Sequence, residues 1–138
     1  MSAAHIHGMA QLPELLPLHD IVIVGVPLTS GTRHLIDDAF LSAMTDGSLL
    51  VNIARGPVAD TEALVRHTST GRLRAALDVT DPEPLPSEHP LWRAPGVIVT
   101  PHVGGASSAM LPRMARLLER QINLLLSGQT PVNVVLSV

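Results

Sequence analysis

A short apolar run that recurs four times constrains this chain more than any other feature. Ile21-Val22-Ile23-Val24-Gly25-Val26 is continuously apolar rather than alternating, and Pro27 stops it. A run of that length with no polar face reads as a strand buried on both sides, as parallel strands under helices are. The pattern returns at residues 49–54, 75–79 and 97–100, each short and each closed by a polar residue or a Gly/Pro break. Four parallel strands are the expectation.

Helix signals lie between the runs. Asp37 caps a stretch through Met44 that Gly47 ends, and Asp60 opens another through His67 with Gly71 after it. Strand and helix therefore alternate, the mark of βαβ units. A last, longer helix is expected over 107–128, starting at Ser107 or Ser108 and stopped by Gly128. It carries Leu111, Met114, Leu118, Ile122 and Leu125 on one face and Arg113, Arg116 and Arg120 on the other.

Composition limits the rest. With 138 residues, 46% of them hydrophobic, a single domain over 1–138 has material for a real core. Phe40 and Trp92 are the only aromatics, so that core is built from Leu, Val, Ile, Ala and Met, and Trp92 is expected to plug one edge of it. A net charge of −3 gives no footprint for nucleic acid or an anionic membrane surface. There is no cysteine, and the histidines lack ligand spacing, so no metal is expected. Without a secretory pattern or an apolar run near ~18 residues, a cytoplasmic protein with small-molecule or protein partners is the reading.

The chemistry collects where strands end, because ligand sites in open α/β sheets lie beyond the strands' carboxyl ends. Arg55 follows the second run and His102 the fourth. Glu83 lies in the stiff loop 80–90 after the third, which holds four prolines in eleven residues. An Arg after a strand is ordinarily a solvated surface residue. Arg, carboxylate and His at one sheet edge instead suit hydroxy-acid chemistry. The guanidinium holds a substrate carboxylate, the imidazole takes the hydroxyl proton, and the carboxylate orients the imidazole.

Three segments in order then resemble one family. Asn52-Ile53-Ala54-Arg55-Gly56-Pro57-Val58 looks like the arginine signature of the D-isomer-specific 2-hydroxyacid dehydrogenases. Residues 76–85 (ALDVTDPEPL) resemble its glutamate segment, and Thr100-Pro101-His102-Val103-Gly104-Gly105-Ala106 its histidine segment. The resemblance covers roughly residues 5 to 135 and implies a partial Rossmann-like α/β fold: about four parallel strands flanked by helices, with the long C-terminal helix. It implies Arg55, Glu83 and His102 as catalytic residues. It also implies cofactor contacts at Val26, Pro27, Thr32, Ile53, Ala54, Arg55, Asp78, His102, Gly104 and Gly105, with Asp78 on the nicotinamide carboxamide.

The implied activity is NAD- or NADP-dependent interconversion of a small 2-hydroxy acid and its 2-keto acid, in a homo-oligomer. The family's G-x-G-x-x-G turn and the ribose-reading residue after it do not occur in this sequence, so the chain reads as the C-terminal part of such an enzyme. The competing reading is a non-catalytic dinucleotide-binding or dimerisation module derived from one.

Overall fold

The computed structural model describes residues 5–134; the outer limits of the expected domain, 1 and 138, lie outside the described residues. The chain divides into two compact units, 1–103 and 104–138.

The first unit is built on a four-stranded parallel sheet in the order β1 (Ile21–Val24), β2 (Leu49–Asn52), β3 (Arg74–Leu77) and β4 (Val97–Val99). Each strand forms where an apolar run was expected, and each stops one to two residues earlier at its carboxyl end. Helix α1 (Leu12–Leu15) precedes the sheet, α2 (Asp38–Ala43) joins β1 to β2, and α3 (Thr61–Ser69) joins β2 to β3. Both caps are the expected ones. The Asp37 carboxylate accepts from the Phe40 N–H, and the Asp60 carboxylate from those of Glu62 and Ala63.

The strand register separates two faces. Val22, Leu50, Ala75 and Val97 are partners in one row, and Val24, Asn52, Leu77 and Val99 in another. Residues of these rows share one core with Phe40 and Leu41 of α2 and with Ala63 and Leu64 of α3. Ile36, Leu41, Met44, Leu50, Leu73 and Leu91 are the largest apolar side chains fully inside it. Burying each contributes about 1.5–3 kcal/mol. The intervening row, Ile23, Val51, Ala76 and Ile98, points the other way, and its two ends are exposed.

Arg72, two residues before β3, ties the end of α2 to the sheet. Its guanidinium donates to the carbonyls of Leu41 and Met44, to Asp46, and to His67 Nδ1. His67 Nε2 in turn meets Asp38, which also pairs with Arg66 at 2.9 Å. The Arg66 guanidinium, and then the His67 ring, hold the Asp38 carboxyl below the usual carboxylate range.

Two expectations are corrected. Trp92 does not plug the core: it is 50% exposed, and its Nε1–H donates to the Pro86 carbonyl at 2.8 Å. The preceding Leu91 is the residue that goes inside, so the indole braces the proline-rich loop. The last helix, α4, spans Met110–Leu126 rather than beginning at Ser107 or Ser108. A start at Met110 makes Pro112 the third helical residue, where no intrahelical N–H is needed; a start at Ser108 would cost a backbone bond. Gly128 follows with φ +69°, the left-handed stop expected of it. α4 belongs to the second unit, and its apolar stripe is exposed along its length.

Candidate active site

The parallel register brings Asn52, Leu77 and Val99 level, so the residues just past them emerge at one edge. Arg55, Asp78 and His102 all lie within three positions of those strand ends.

The Arg55 turn is held by the buried Asn52. Its Oδ1 accepts from the Ala54 N–H at 3.0 Å, and its Nδ2 donates to the Arg55 carbonyl at 3.3 Å. An amide at that position supplies the acceptor and the donor that a reversing backbone needs. Arg55 itself is exposed, and its Nη1 donates to the Ala54 carbonyl at 2.6 Å.

The Glu83 loop is seated directly on this turn. Gly56 lies so close to Thr80 that an added Cβ would overlap the Thr80 carbonyl. The Thr61 hydroxyl at the start of α3 donates to the Asp81 carbonyl at 2.7 Å, and the Thr80 hydroxyl to the Pro82 carbonyl at 2.9 Å. The peptide bonds before Pro82 and Pro84, on either side of Glu83, are both cis.

Glu83 and His102 meet. Glu83 Oε1 is 2.7 Å from His102 Nδ1, with both side chains part-exposed at 40% and 44%. An ionised carboxylate only accepts, so the contact places the proton on Nδ1 and leaves Nε2 of the neutral ring as its basic nitrogen. His102 has φ +53°, a left-handed conformation that costs a non-glycine residue roughly 1–2 kcal/mol. Asp78 holds the turn that requires it: Oδ1 accepts from the Thr100 hydroxyl at 2.6 Å and from the Val103 N–H at 2.9 Å.

Two cavities open along the same edge and share Val26 and Pro27. One, about 500 Å³, is lined by those residues with Ile53, Ala54 and Arg55. The other, about 810 Å³ and mostly apolar, adds Thr32, Leu12, Leu16 and Phe40. Thr32 shapes its rim, donating to the Pro27 carbonyl at 2.6 Å and accepting from the Thr29 N–H at 2.8 Å. Gly104 and Gly105 open the second unit as a turn, and a Cβ on Gly105 would meet nothing within 4 Å. Among the described residues no group of three His, Asp or Glu is placed to hold a metal ion.

Four residues with no assigned role before the fold is known organise this site: Asn52, Gly56, Thr61 and Thr100. A signal existed for Asn52, since an Asn closing an apolar run favours a turn. Thr61 and Thr100 act across strands, where only the register reveals them.

A parallel sheet with His, Asp, Glu and Arg at its carboxyl edge beside two adjoining cavities defines an open α/β ligand-binding domain. The sequence of the D-isomer specific 2-hydroxyacid dehydrogenase NAD binding domain matches residues 2–104, and the chain belongs to that family. It is 45% identical over 121 residues to a glyoxylate reductase of Thermofilum pendens, covering 87% of this chain and 36% of that protein. A D-isomer specific 2-hydroxyacid dehydrogenase of Xanthobacter autotrophicus, solved with NADPH and MES, superposes with a TM-score of 0.83 at 38% identity. That alignment covers 93% of this chain and 52% of that one. D-mandelate dehydrogenase of Rhodotorula graminis, in its apo form, gives a TM-score of 0.84 at 34% identity, over 99% of this chain and 43% of that one. The chain thus spans little more than a third of the curated relatives it matches first.

Proposed function

We propose that this chain carries the acid–base and nicotinamide-side half of an NAD(P)-dependent reductase of small 2-keto acids, glyoxylate among them. The observation that carries the reading is the 2.7 Å contact between His102 and Glu83, next to an exposed arginine on the neighbouring loop. Support for the substrate comes from the relatives named glyoxylate reductase.

In this reading the Arg55 guanidinium binds the keto-acid carboxylate through paired hydrogen bonds. His102, protonated on both nitrogens, gives the Nε2 proton to the carbonyl oxygen as that oxygen becomes a hydroxyl. Glu83, through Nδ1, keeps the ring turned to the substrate. Asp78 receives the carboxamide N–H groups, while Val26, Pro27, Ile53 and Ala54 bound the cofactor's nicotinamide side, and Thr32 lies along its path. Gly104 and Gly105 are the remaining cofactor contacts that the family resemblance implies. The bound dinucleotide supplies the hydride. The reading includes a cytoplasmic homo-oligomer. No helix among the described residues is long and apolar enough to cross a membrane.

The test is a chimaera in which residues 5–134 replace the matching part of the Thermofilum pendens glyoxylate reductase. NAD(P)H oxidation on adding glyoxylate, lost in His102→Ala, is the expected result. A folded chimaera that binds NADPH without turnover would instead favour the dinucleotide-binding module.

A further inference from the structure

Residues 100–103 form a closed loop pinned at both ends to one atom. The Thr100 hydroxyl and the Val103 N–H both donate to Asp78 Oδ1, at 2.6 and 2.9 Å, and His102 lies between them. Inside the loop the His102 N–H turns back to the Thr100 carbonyl at 3.0 Å, and His102 takes its left-handed φ of +53°. An L-residue does not stay in that conformation unless its surroundings hold it there. Within the loop the backbone is held only by that short His102-to-Thr100 turn, Pro101 has no N–H and the histidine ring is held by Glu83, so the Asp78 carboxylate is what ties the loop's two ends together.

We infer that Thr100 is a positioning residue for His102, acting through Asp78. Two donors on one carboxylate oxygen set both the rotation of the carboxylate and the chord from residue 100 to residue 103. The chord fixes the backbone turn, and the turn directs the imidazole at Glu83. The Thr100 side chain is exposed and no part of the core, so its hydroxyl serves the site rather than the fold. Because Asp78 also faces the proposed nicotinamide position, Thr100 couples cofactor contact to the placement of the acid–base group. The catalytic part of this inference rests on the function proposed above; the clamp itself does not.

The experiment compares Thr100→Val, which keeps the branched shape and removes the hydroxyl, with Thr100→Ser, which restores it. In the 138-residue chain, NMR reads two signals: hydrogen exchange at the Val103 amide, and the ¹⁵N shifts of the His102 ring, which distinguish Nδ1–H from Nε2–H. Thr100→Val is expected to speed Val103 exchange by about tenfold, the size of losing one charge-assisted hydrogen bond from a local opening. It should also average the ring tautomers, while core amides such as Leu50 stay protected. Thr100→Ser should return both signals. In the chimaera, Thr100→Val should lower kcat about tenfold with the KM for NADPH within about twofold, against a KM effect for a residue that only binds cofactor. Unchanged Val103 exchange and ring shifts would overturn the clamp. A clamp lost with kcat intact would overturn the positioning role. Absence of turnover in the unmutated chimaera would count against the proposed function alone, leaving the NMR pair to decide the clamp.

Discussion

A Cβ built on Gly56 would lie 1.8 Å from the carbonyl oxygen of Thr80. The loop that carries Arg55 and the loop that carries Glu83 are therefore in backbone contact, with no side chain between them. Neither loop has room to retreat, because Thr61 fixes Asp81 on one side and Asn52 fixes the Arg55 turn on the other. Gly56→Ala is expected to destabilise the domain by about 3 kcal/mol or more, the range of overpacking against rigid backbone. Gly25→Ala, where an added Cβ meets nothing within 4 Å, should change stability by less than about 1 kcal/mol. Urea unfolding midpoints of the two variants give the comparison, and equal midpoints would contradict the close approach.

The two charged side chains of the proposed site should fail differently. In the glyoxylate reductase chimaera, His102→Ala is expected to lower kcat by ~10²–10⁴, the usual worth of general acid–base catalysis. Arg55→Ala should lower kcat/KM for glyoxylate mainly through KM, and Arg55→Lys should recover little because an ammonium cannot reproduce a bidentate clamp. Steady-state rates against glyoxylate concentration separate the two. Parental values in both variants would remove these residues from the mechanism.

Away from the site, Arg72 donates to two carbonyls near the C-terminal end of α2 and to His67. Methionine can follow the aliphatic stem but leaves those part-buried acceptors without a partner. Arg72→Met is expected to cost about 2–3 kcal/mol in urea unfolding at pH 7. A cost below about 0.5 kcal/mol would show that water replaces the guanidinium freely.

The same region gives a pH dependence. Arg66, then His67, favour the charged form of Asp38, so its carboxyl titrates lower in the folded chain than in the unfolded one. Such a group adds stability that is present above the unfolded value, about 3.9, and is lost as pH falls through the lower folded value. Asp38→Asn should therefore be less stable than the parent at pH 7, and the gap should close on acidification below pH ~4. The pair is exposed, so 1 M salt should narrow the gap at pH 7. A gap that widens on acidification would reverse the assigned sign.

Sequence reading located all four strands, because an uninterrupted apolar run has few other uses in a cysteine-free chain with two aromatics. It overran the first two carboxyl ends for a physical reason: past the last strand residue Val26 and Ala54 stay apolar because they pack with the core beside the cavities, without continuing the strand pairing. The motifs pointed to Arg55, Glu83 and His102, and of these the structure brings Glu83 and His102 into contact. What held them in place was not readable. Gly56 against Thr80, and Thr100 on Asp78, join residues 24 and 22 positions apart that only the register brings together. Trp92 misled because an indole satisfies its apolar body and its N–H equally well by lying along a loop, and Leu91 was the better core filler.

The last prediction concerns the sheet face opposite α2 and α3. Parallel strands are ordinarily covered on both faces, since each carries apolar side chains in both directions. Here Ile23 and Ile98 end one row of partners at 66% and 65% exposure, with Val51 and Ala76 half-buried between them, and Ile21 is exposed beside Ile23. Withdrawing apolar surface from water is worth about 25 cal/mol per Å², and a contiguous exposed row of this kind favours association. The 138-residue chain alone should therefore elute as a concentration-dependent oligomer in light-scattering chromatography. Ile23→Asp together with Ile98→Asp should shift it toward monomer. Both positions are already solvent-facing, so the double variant should keep the parent's far-UV circular dichroism and unfold within about 1 kcal/mol of it. A parent chain that stays monomeric up to 100 μM would show that the face is satisfied without a partner.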